Sequence, residues 1–294
     1  MSTNNVSEPV SGSQTNHPGP LIARPSTPRF NRKRVLSALV LLPLLYVLNR
    51  HLPPVAFFVF IALIVLVAQW EFLGLFFEKH HLPQHALVSL PGTLLLLLAM
   101  QWPAVFDFSL TLSIIFVSLL CYQVGFAPAE SRHLVMVVML FGILYVGYTL
   151  GHVLWLKEQL NGTMLIFFLM LVTWAGDTAA YYVGRRRGSR PLAPQLSPKK
   201  TVEGFLGGLI VAPLIAWLGH VWFLPAVTLL ESLVLGVLFT VLGLLGDLSE
   251  SALKRYAGAK DSGTLIPGHG GMLDRVDSLL LNAPVFYYYM TFVH

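Results

Sequence analysis

Long apolar runs recur along most of the chain, and they constrain its fold more than any other feature. A run of about 20 apolar residues is long enough to cross a bilayer as a helix. Of the 294 residues, 55% are hydrophobic and 11% are charged, whereas a soluble domain averages about 25% charged. The sequence therefore predicts an all-α, polytopic integral membrane protein. We place about nine transmembrane helices, at 35–49, 55–77, 86–101, 104–122, 134–156, 163–183, 204–219, 221–246 and 278–293.

The first 30 residues differ in composition and are predicted to form a disordered polar tail. They are rich in Ser, Thr, Asn, Gly and Pro, so they cannot bury enough apolar surface to offset the entropy cost of ordering. A basic cluster then precedes an apolar run without a cleavage site, which indicates a signal anchor. We divide the rest into N-terminal transmembrane helices at 31–160 and a C-terminal transmembrane region at 161–294 that holds the candidate site.

The positions of the basic residues predict how the chain is oriented. Short cytoplasmic loops of membrane proteins carry an excess of Lys and Arg. With nine spans and a cytoplasmic N-terminus, all 19 Lys and Arg residues except Arg50 and Lys157 lie inside. The formal net charge of +5 therefore reports topology, and we predict no nucleic-acid partner. We expect a multi-pass protein of the cell inner (plasma) membrane, with its candidate site facing the cytoplasm.

Two predicted cytoplasmic loops, 184–203 and 247–277, hold most of the Lys, Arg and Asp outside the tail. In the second loop, Asp247 stands at one end, and Asp274 and Asp277 stand at the other. Mg²⁺ binds one or two protein carboxylates and fills further positions with phosphate oxygens, and Mn²⁺ suits the same ligands. The loop therefore predicts a site for a divalent cation and phosphate. If the preceding span continues as a helix, one face carries Asp247, Glu250, Ser251 and Lys254.

Acidic residues within the apolar runs are a separate group. Asp177 is costly at membrane depth and is therefore a functional candidate, with a structural pairing to Arg185 or Arg186 as the alternative. Glu71, Asp107 and Glu231 have no partner nearby in the sequence, and we expect them to be structural.

The polar positions of the second loop follow a specific pattern. It reads Ser251-x-Leu253-Lys254-Arg255, then Lys260-Asp261-x-Gly263, then Ile266-Pro267-x-His269-Gly270-Gly271-Met272-x-Asp274-Arg275-Val276-Asp277. This pattern resembles the signature of the phosphatidate cytidylyltransferase family, also called CDP-diacylglycerol synthases. Asp177 and the segment 197–201 match that family as well, so the resemblance extends from about residue 170 to the C-terminus. One departure is Gly176, where some members carry Asn.

The resemblance implies transfer of CMP from CTP to phosphatidate, giving CDP-diacylglycerol and pyrophosphate for phospholipid biosynthesis at the cytoplasmic face of the lipid bilayer. It implies Mg²⁺ dependence, with metal ligands Asp177, Asp247, Asp274 and Asp277. The implied catalytic residues are Asp247, Lys254, Arg255, Lys260, Asp261, His269, Asp274, Arg275 and Asp277. The implied substrate-binding residues are Ser197, Lys199, Lys200, Thr201, Ser251, Gly270 and Gly271.

Several other functions stay open from the sequence. The phosphate-binding residues do not define the lipid, so the alternatives among enzymes are a CTP-dependent transferase acting on another lipid and a phosphotransferase that releases the lipid phosphate. A proton-coupled transporter also has many spans and an intramembrane acid, but here the polar residues cluster at one face. A non-catalytic scaffold of the same fold is a further alternative function. The sequence is also compatible with a homodimer. Cys121 is the single cysteine, which excludes an intrachain disulfide and a cysteine zinc cluster. We expect it to be a small buried apolar side chain.

Overall fold

The computed structural model describes residues 43–126, 132–263 and 270–294. The chain divides into two units, Met1–Asn31 and Arg32–His294, and everything described below belongs to the second. The predicted polar tail and the first part of the first predicted span lie outside the described residues. From residue 43 onward that span is helical, through residue 51.

Helices make up nearly all of the described structure, which confirms the predicted all-α class. The helices are α1 (Pro54–Phe76), α2 (Leu82–Gln101), α3 (Phe108–Gly125), α4 (Arg132–Gly142), α5 (Thr149–Glu158), α6 (Gly162–Arg187), α7 (Val202–Trp222), α8 (Leu229–Tyr256) and α9 (Leu273–Val293). A π-helical turn, Ile143–Tyr148, joins α4 to α5 without a break. Two short antiparallel strands, β1 (Pro191–Ala193) and β2 (Ser197–Thr201), form a hairpin between α6 and α7.

Seven helices of the described residues are long and apolar enough to cross a membrane. They are α1, α2, α3, the continuous helix Arg132–Glu158, α6, α7 and α8. The predicted spans 204–219 and 221–246 are separate helices, because α7 ends at Trp222 and α8 begins at Leu229. The ninth predicted span, 278–293, corresponds to α9, which is not among these seven helices.

The centre of the C-terminal region is an aromatic cluster. Phe168 of α6, Phe239 of α8 and Phe286 of α9 are fully buried, and their ring centroids lie 5.2–6.2 Å apart. By contrast, α3 is peripheral, and its Cys121, which we expected to be a buried apolar side chain, is exposed. The aromatic cluster therefore joins the three helices that carry the four predicted metal ligands.

The helices α7 and α8 cross at very short range. A Cβ atom added to Gly236 would lie 2.4 Å from the Cα atom of Pro213. Small residues at such crossings let helices in a membrane approach closely and gain packing contacts. The glycine is therefore needed for the position of α8 relative to α7.

Replacing Gly236 by alanine should destabilise the protein, because the added methyl group meets backbone atoms that cannot rotate away. Overpacking of this kind costs about 1–3 kcal/mol, which we expect as a lower midpoint of thermal unfolding in detergent. Gly125→Ala is the matched control, since among the described residues no atom outside its own stretch of helix lies within 4 Å of its added Cβ. Equal midpoints for the two variants would contradict the proposed crossing.

Candidate active site

The first part of the second loop is helical, as the sequence predicts. The helix α8 continues through Tyr256, and the predicted common face of Asp247, Glu250, Ser251 and Lys254 is confirmed. Glu250, Ser251 and Lys254 are buried, and Asp247 is half-buried. The helix α9 begins at Leu273, so Asp274 and Asp277 lie in its first two turns.

Three carboxylates meet where α8 faces the start of α9. Asp247, Glu250 and Asp277 each offer one oxygen, and these oxygens all lie within 4.8 Å of one another. We call these three residues the acid group. The glycine before Asp247 permits this arrangement, because a Cβ atom on Gly246 would lie 2.4 Å from the carbonyl oxygen of Asp277. The backbones of α8 and α9 are therefore in direct contact beside the acid group.

A fourth acid, Asp177 of α6, lies next to the acid group. The Ser278 hydroxyl donates to Asp177 Oδ2 at 3.0 Å and to Asp277 Oδ1 at 3.2 Å. Asp277 precedes the apolar segment 278–293, and its pKa is raised well above the usual range by burial and by the carboxylates of Asp247 and Asp177. Burial and the neighbouring negative charges thus both oppose ionisation of Asp277, and a bound cation would relieve the repulsion between the carboxylates.

The hairpin brings the first loop to the acid group. Lys200 of β2 forms an ion pair with Asp247. Side chains alternate along a strand, so Lys199 is on the opposite face and is exposed. Ser197 pairs with Ala193 across the hairpin, and the Thr201 hydroxyl accepts from Gly204 N at 3.2 Å, which caps α7. The structure therefore places one of the four predicted residues of this segment, Lys200, directly against the acid group.

Asp274 has a different set of partners. Its Oδ1 accepts from Lys254 Nζ at 2.5 Å, and its Oδ2 accepts from Ser262 N at 3.1 Å, Ser262 Oγ at 2.9 Å and Gly271 N at 2.8 Å. Burial alone would raise the pKa of Asp274, but Lys254 and Gly271 hold it at about 2. Lys254 also lies 3.2 Å from Glu250. Asp274 is not part of the acid group, and its assignment as a metal ligand stays a prediction.

The remaining predicted residues surround this centre. The Ser251 hydroxyl donates to Asp247 at 3.4 Å, and Gly270 has φ +81°, a conformation that favours glycine. His269 lies outside the described residues. Four other predicted residues are exposed, namely Arg255, Lys260, Asp261 and Arg275.

Two acids near the site are not among the residues predicted for it. The sequence analysis placed Glu250 on the correct helix face but did not predict it to be a metal ligand. Its spacing from Asp247, three positions along the same helix, is the feature that could have indicated this role. Glu71 was expected to be structural, and the structure gives it a partner that is distant in the sequence. Its Oε2 accepts from Leu273 N at 2.9 Å, 202 positions along the chain. Asp107 and Glu231 are structural as expected, because both stabilise helix N-termini.

Lys254 should be important for stability, because it lies between two carboxylates and is 8% exposed. Removing one partner of a buried ion pair costs about 3–5 kcal/mol, so Lys254→Met should lower the midpoint of thermal unfolding strongly. Arg255→Met is the control, since Arg255 is the exposed neighbour and exposed substitutions change stability by about 0.5 kcal/mol or less. An unchanged midpoint for Lys254→Met would mean that this ion-pair network does not stabilise the fold.

The fold and the site define a polytopic helical membrane protein with an acidic centre flanked by lysines. The model of the cytidylyltransferase family matches residues 32–293. The chain therefore belongs to this family, and the match includes the N-terminal helices as well as the signature region.

Individual relatives align over shorter segments. The phosphatidate cytidylyltransferase of Bacillus subtilis is 44% identical over 127 residues, 43% of this chain and 47% of that protein. That of Haemophilus influenzae is 41% identical over 140 residues, 46% of this chain and 49% of that protein. The uncharacterized protein YnbB of Escherichia coli is 39% identical over 170 residues, 56% of each chain. The alignments thus span about half the length of these relatives.

Proposed function

We propose that this protein transfers CMP from CTP to phosphatidate, forming CDP-diacylglycerol and releasing pyrophosphate. The observation that carries the proposal is the acid group, with lysines beside it, in a chain of the cytidylyltransferase family. Relatives named phosphatidate cytidylyltransferase support phosphatidate as the acceptor. The orientation predicted from Lys and Arg places the site on the cytoplasmic side of the inner membrane, where CTP is available.

The donor set of the acid group fits a hard divalent cation, Mg²⁺ or Mn²⁺. Its carboxylates outnumber the nearby ammonium groups, because Lys200 pairs with Asp247 and Lys254 is shared between Glu250 and Asp274. Glu250 is fully buried, and a buried charge is costly unless it is compensated. We therefore propose that Asp247, Glu250 and Asp277 hold the cation.

When bound, the cation would supply charge neutralisation for the triphosphate and the lipid phosphate. The chain itself positions the two anionic substrates. The lipid phosphate is already ionised, so its oxygen attacks the α-phosphorus of CTP without a general base from the protein. The bond from the α-phosphorus to the bridging oxygen breaks, and pyrophosphate leaves with that electron pair. Positioning and charge neutralisation supply most of the catalysis in such phosphoryl chemistry.

The basic residues have separate places in this scheme. Lys200 lies against the acid group, so we assign it to the phosphate that reacts there. Lys199 is exposed on the other face of β2, and we assign it to the lipid headgroup. The exposed residues Arg255, Lys260 and Arg275 are assigned to the triphosphate and the departing pyrophosphate.

The first test is pyrophosphate release by the purified protein in mixed micelles, with CTP, phosphatidate and the divalent cation omitted in turn. Release that requires all three components is the expected result. Release with another lipid in place of phosphatidate would indicate a related CTP-dependent transferase. No release from folded protein with any lipid would refute the proposed activity.

Variants of the acid group separate metal ligands from positioning residues. Asp247→Asn, Glu250→Gln and Asp277→Asn should each lower turnover about a hundredfold and raise the Mg²⁺ concentration for half-maximal activity, because each removes a ligand charge. Asp274→Asn should lower turnover with little change in that concentration, since Asp274 contacts Lys254 and the loop backbone.

Glu78→Gln is the matched control for these variants, because Glu78 is an exposed acid that lies beside His80. It should match the wild-type protein in both turnover and Mg²⁺ dependence. Near wild-type turnover in all three acid-group variants would remove these residues from the cation site. A shifted Mg²⁺ dependence in Asp274→Asn would instead restore Asp274 as a ligand.

A further inference from the structure

Glu71 of α1 lies far from the signature in sequence but contacts it directly. Its side chain is buried, with 6% exposure. Its Oε2 accepts from the backbone N–H of Leu273 at 2.9 Å and from the Ser262 hydroxyl at 3.3 Å. Ser262 stands before the segment 264–269 and Leu273 stands after it. One carboxylate therefore contacts the chain on both sides of this segment. We call the connection between α8 and α9, residues 257–272, the signature loop.

Glu71 lies so close to the loop backbone that it restricts two positions of the loop to glycine. A Cβ atom on Gly263 would lie 2.5 Å from Glu71 Oε1, and a Cβ atom on Gly271 would lie 2.4 Å from Oε2. No side chain fits at either position while the carboxylate stays in place. These two signature glycines therefore allow the loop backbone to rest on Glu71.

A chain of contacts connects Glu71 to the acid group. The Ser262 hydroxyl shares its single proton between Asp274 Oδ2, at 2.9 Å, and Glu71 Oε2, at 3.3 Å, and the Ser262 backbone N–H also donates to Asp274. Asp274 accepts from Lys254, and Lys254 is paired with Glu250 of the acid group. If the loop moved away from Glu71, the displacement would therefore pass from Ser262 to the acid group through Asp274 and Lys254.

We propose that Glu71 is a positioning residue for the transfer reaction: its carboxylate anchors both sides of the signature loop and so fixes Asp274, Lys254 and the acid group in the reactive arrangement. This inference rests on the proposed function. Glu71 acts by accepting hydrogen bonds from the loop, and it does not contact the reacting atoms.

The test compares three variants of Glu71 with the exposed control Glu78→Gln. Glu71→Gln keeps an oxygen that can accept both hydrogen bonds, so it should retain most of the turnover. Glu71→Asp is too short to reach Leu273, and Glu71→Leu has no acceptor. Both should lose about a hundredfold in turnover, which is the size of effect expected from a misplacement of about 1 Å.

A second readout does not depend on activity. Lys260 is exposed and lies just before Ser262, so tryptic cleavage after Lys260 reports whether the loop is held. Cleavage should be faster in Glu71→Asp and Glu71→Leu than in the wild-type protein, Glu71→Gln and Glu78→Gln. Mass spectrometry identifies the fragment, and thermal unfolding shows which variants are folded.

Wild-type turnover and cleavage in Glu71→Asp would overturn the inference, and this variant decides the matter if Glu71→Leu does not fold. A Glu71→Gln variant that is inactive but cleaved slowly would also overturn it, because charge instead of hydrogen bonding would then be required. If the wild-type protein releases no pyrophosphate, the proposed function fails. The cleavage rates then test by themselves whether Glu71 anchors the loop. Slow cleavage in Glu71→Asp would refute the anchoring, and fast cleavage would support it.

Discussion

Compensation of buried negative charge is the constraint on which this structure depends. Glu250 has no exposed surface, and removing a carboxylate from water costs several kcal/mol unless an opposite charge lies close by. Lys254 supplies that charge from the same helix face, and Lys200 supplies it to Asp247 from the hairpin. The ion pair between Lys200 and Asp247 therefore links the hairpin between two apolar helices to α8.

Close backbone contact makes this concentration of charge possible. Gly246 brings α8 against the carbonyl oxygen of Asp277, so acids from two helices reach within 4.8 Å of one another. Lipid is as apolar as the helices, so van der Waals packing between small residues contributes much of the association energy. Gly236, packed on Pro213, serves the same purpose deeper in the bundle. The same small residues thus stabilise the bundle and shape the site.

The N-terminal helices contribute more than a scaffold. The family match begins at residue 32, whereas the sequence signature is confined to the C-terminal part of the chain. Glu71 gives a physical reason for including α1, because its carboxylate accepts hydrogen bonds from Ser262 and Leu273. The division at residue 160 stays a prediction, and this contact crosses it.

The sequence by itself determined the features that depend on local periodicity. The length of the apolar runs predicted the membrane helices, and the spacing of Asp247, Glu250 and Lys254 predicted their common face, because both follow from the geometry of a single helix. Only the tertiary structure decided that Glu71 reaches the loop and that Lys200 meets Asp247. These contacts depend on how separate helices pack and on glycines that let them touch, and no pattern within one segment encodes the position of another.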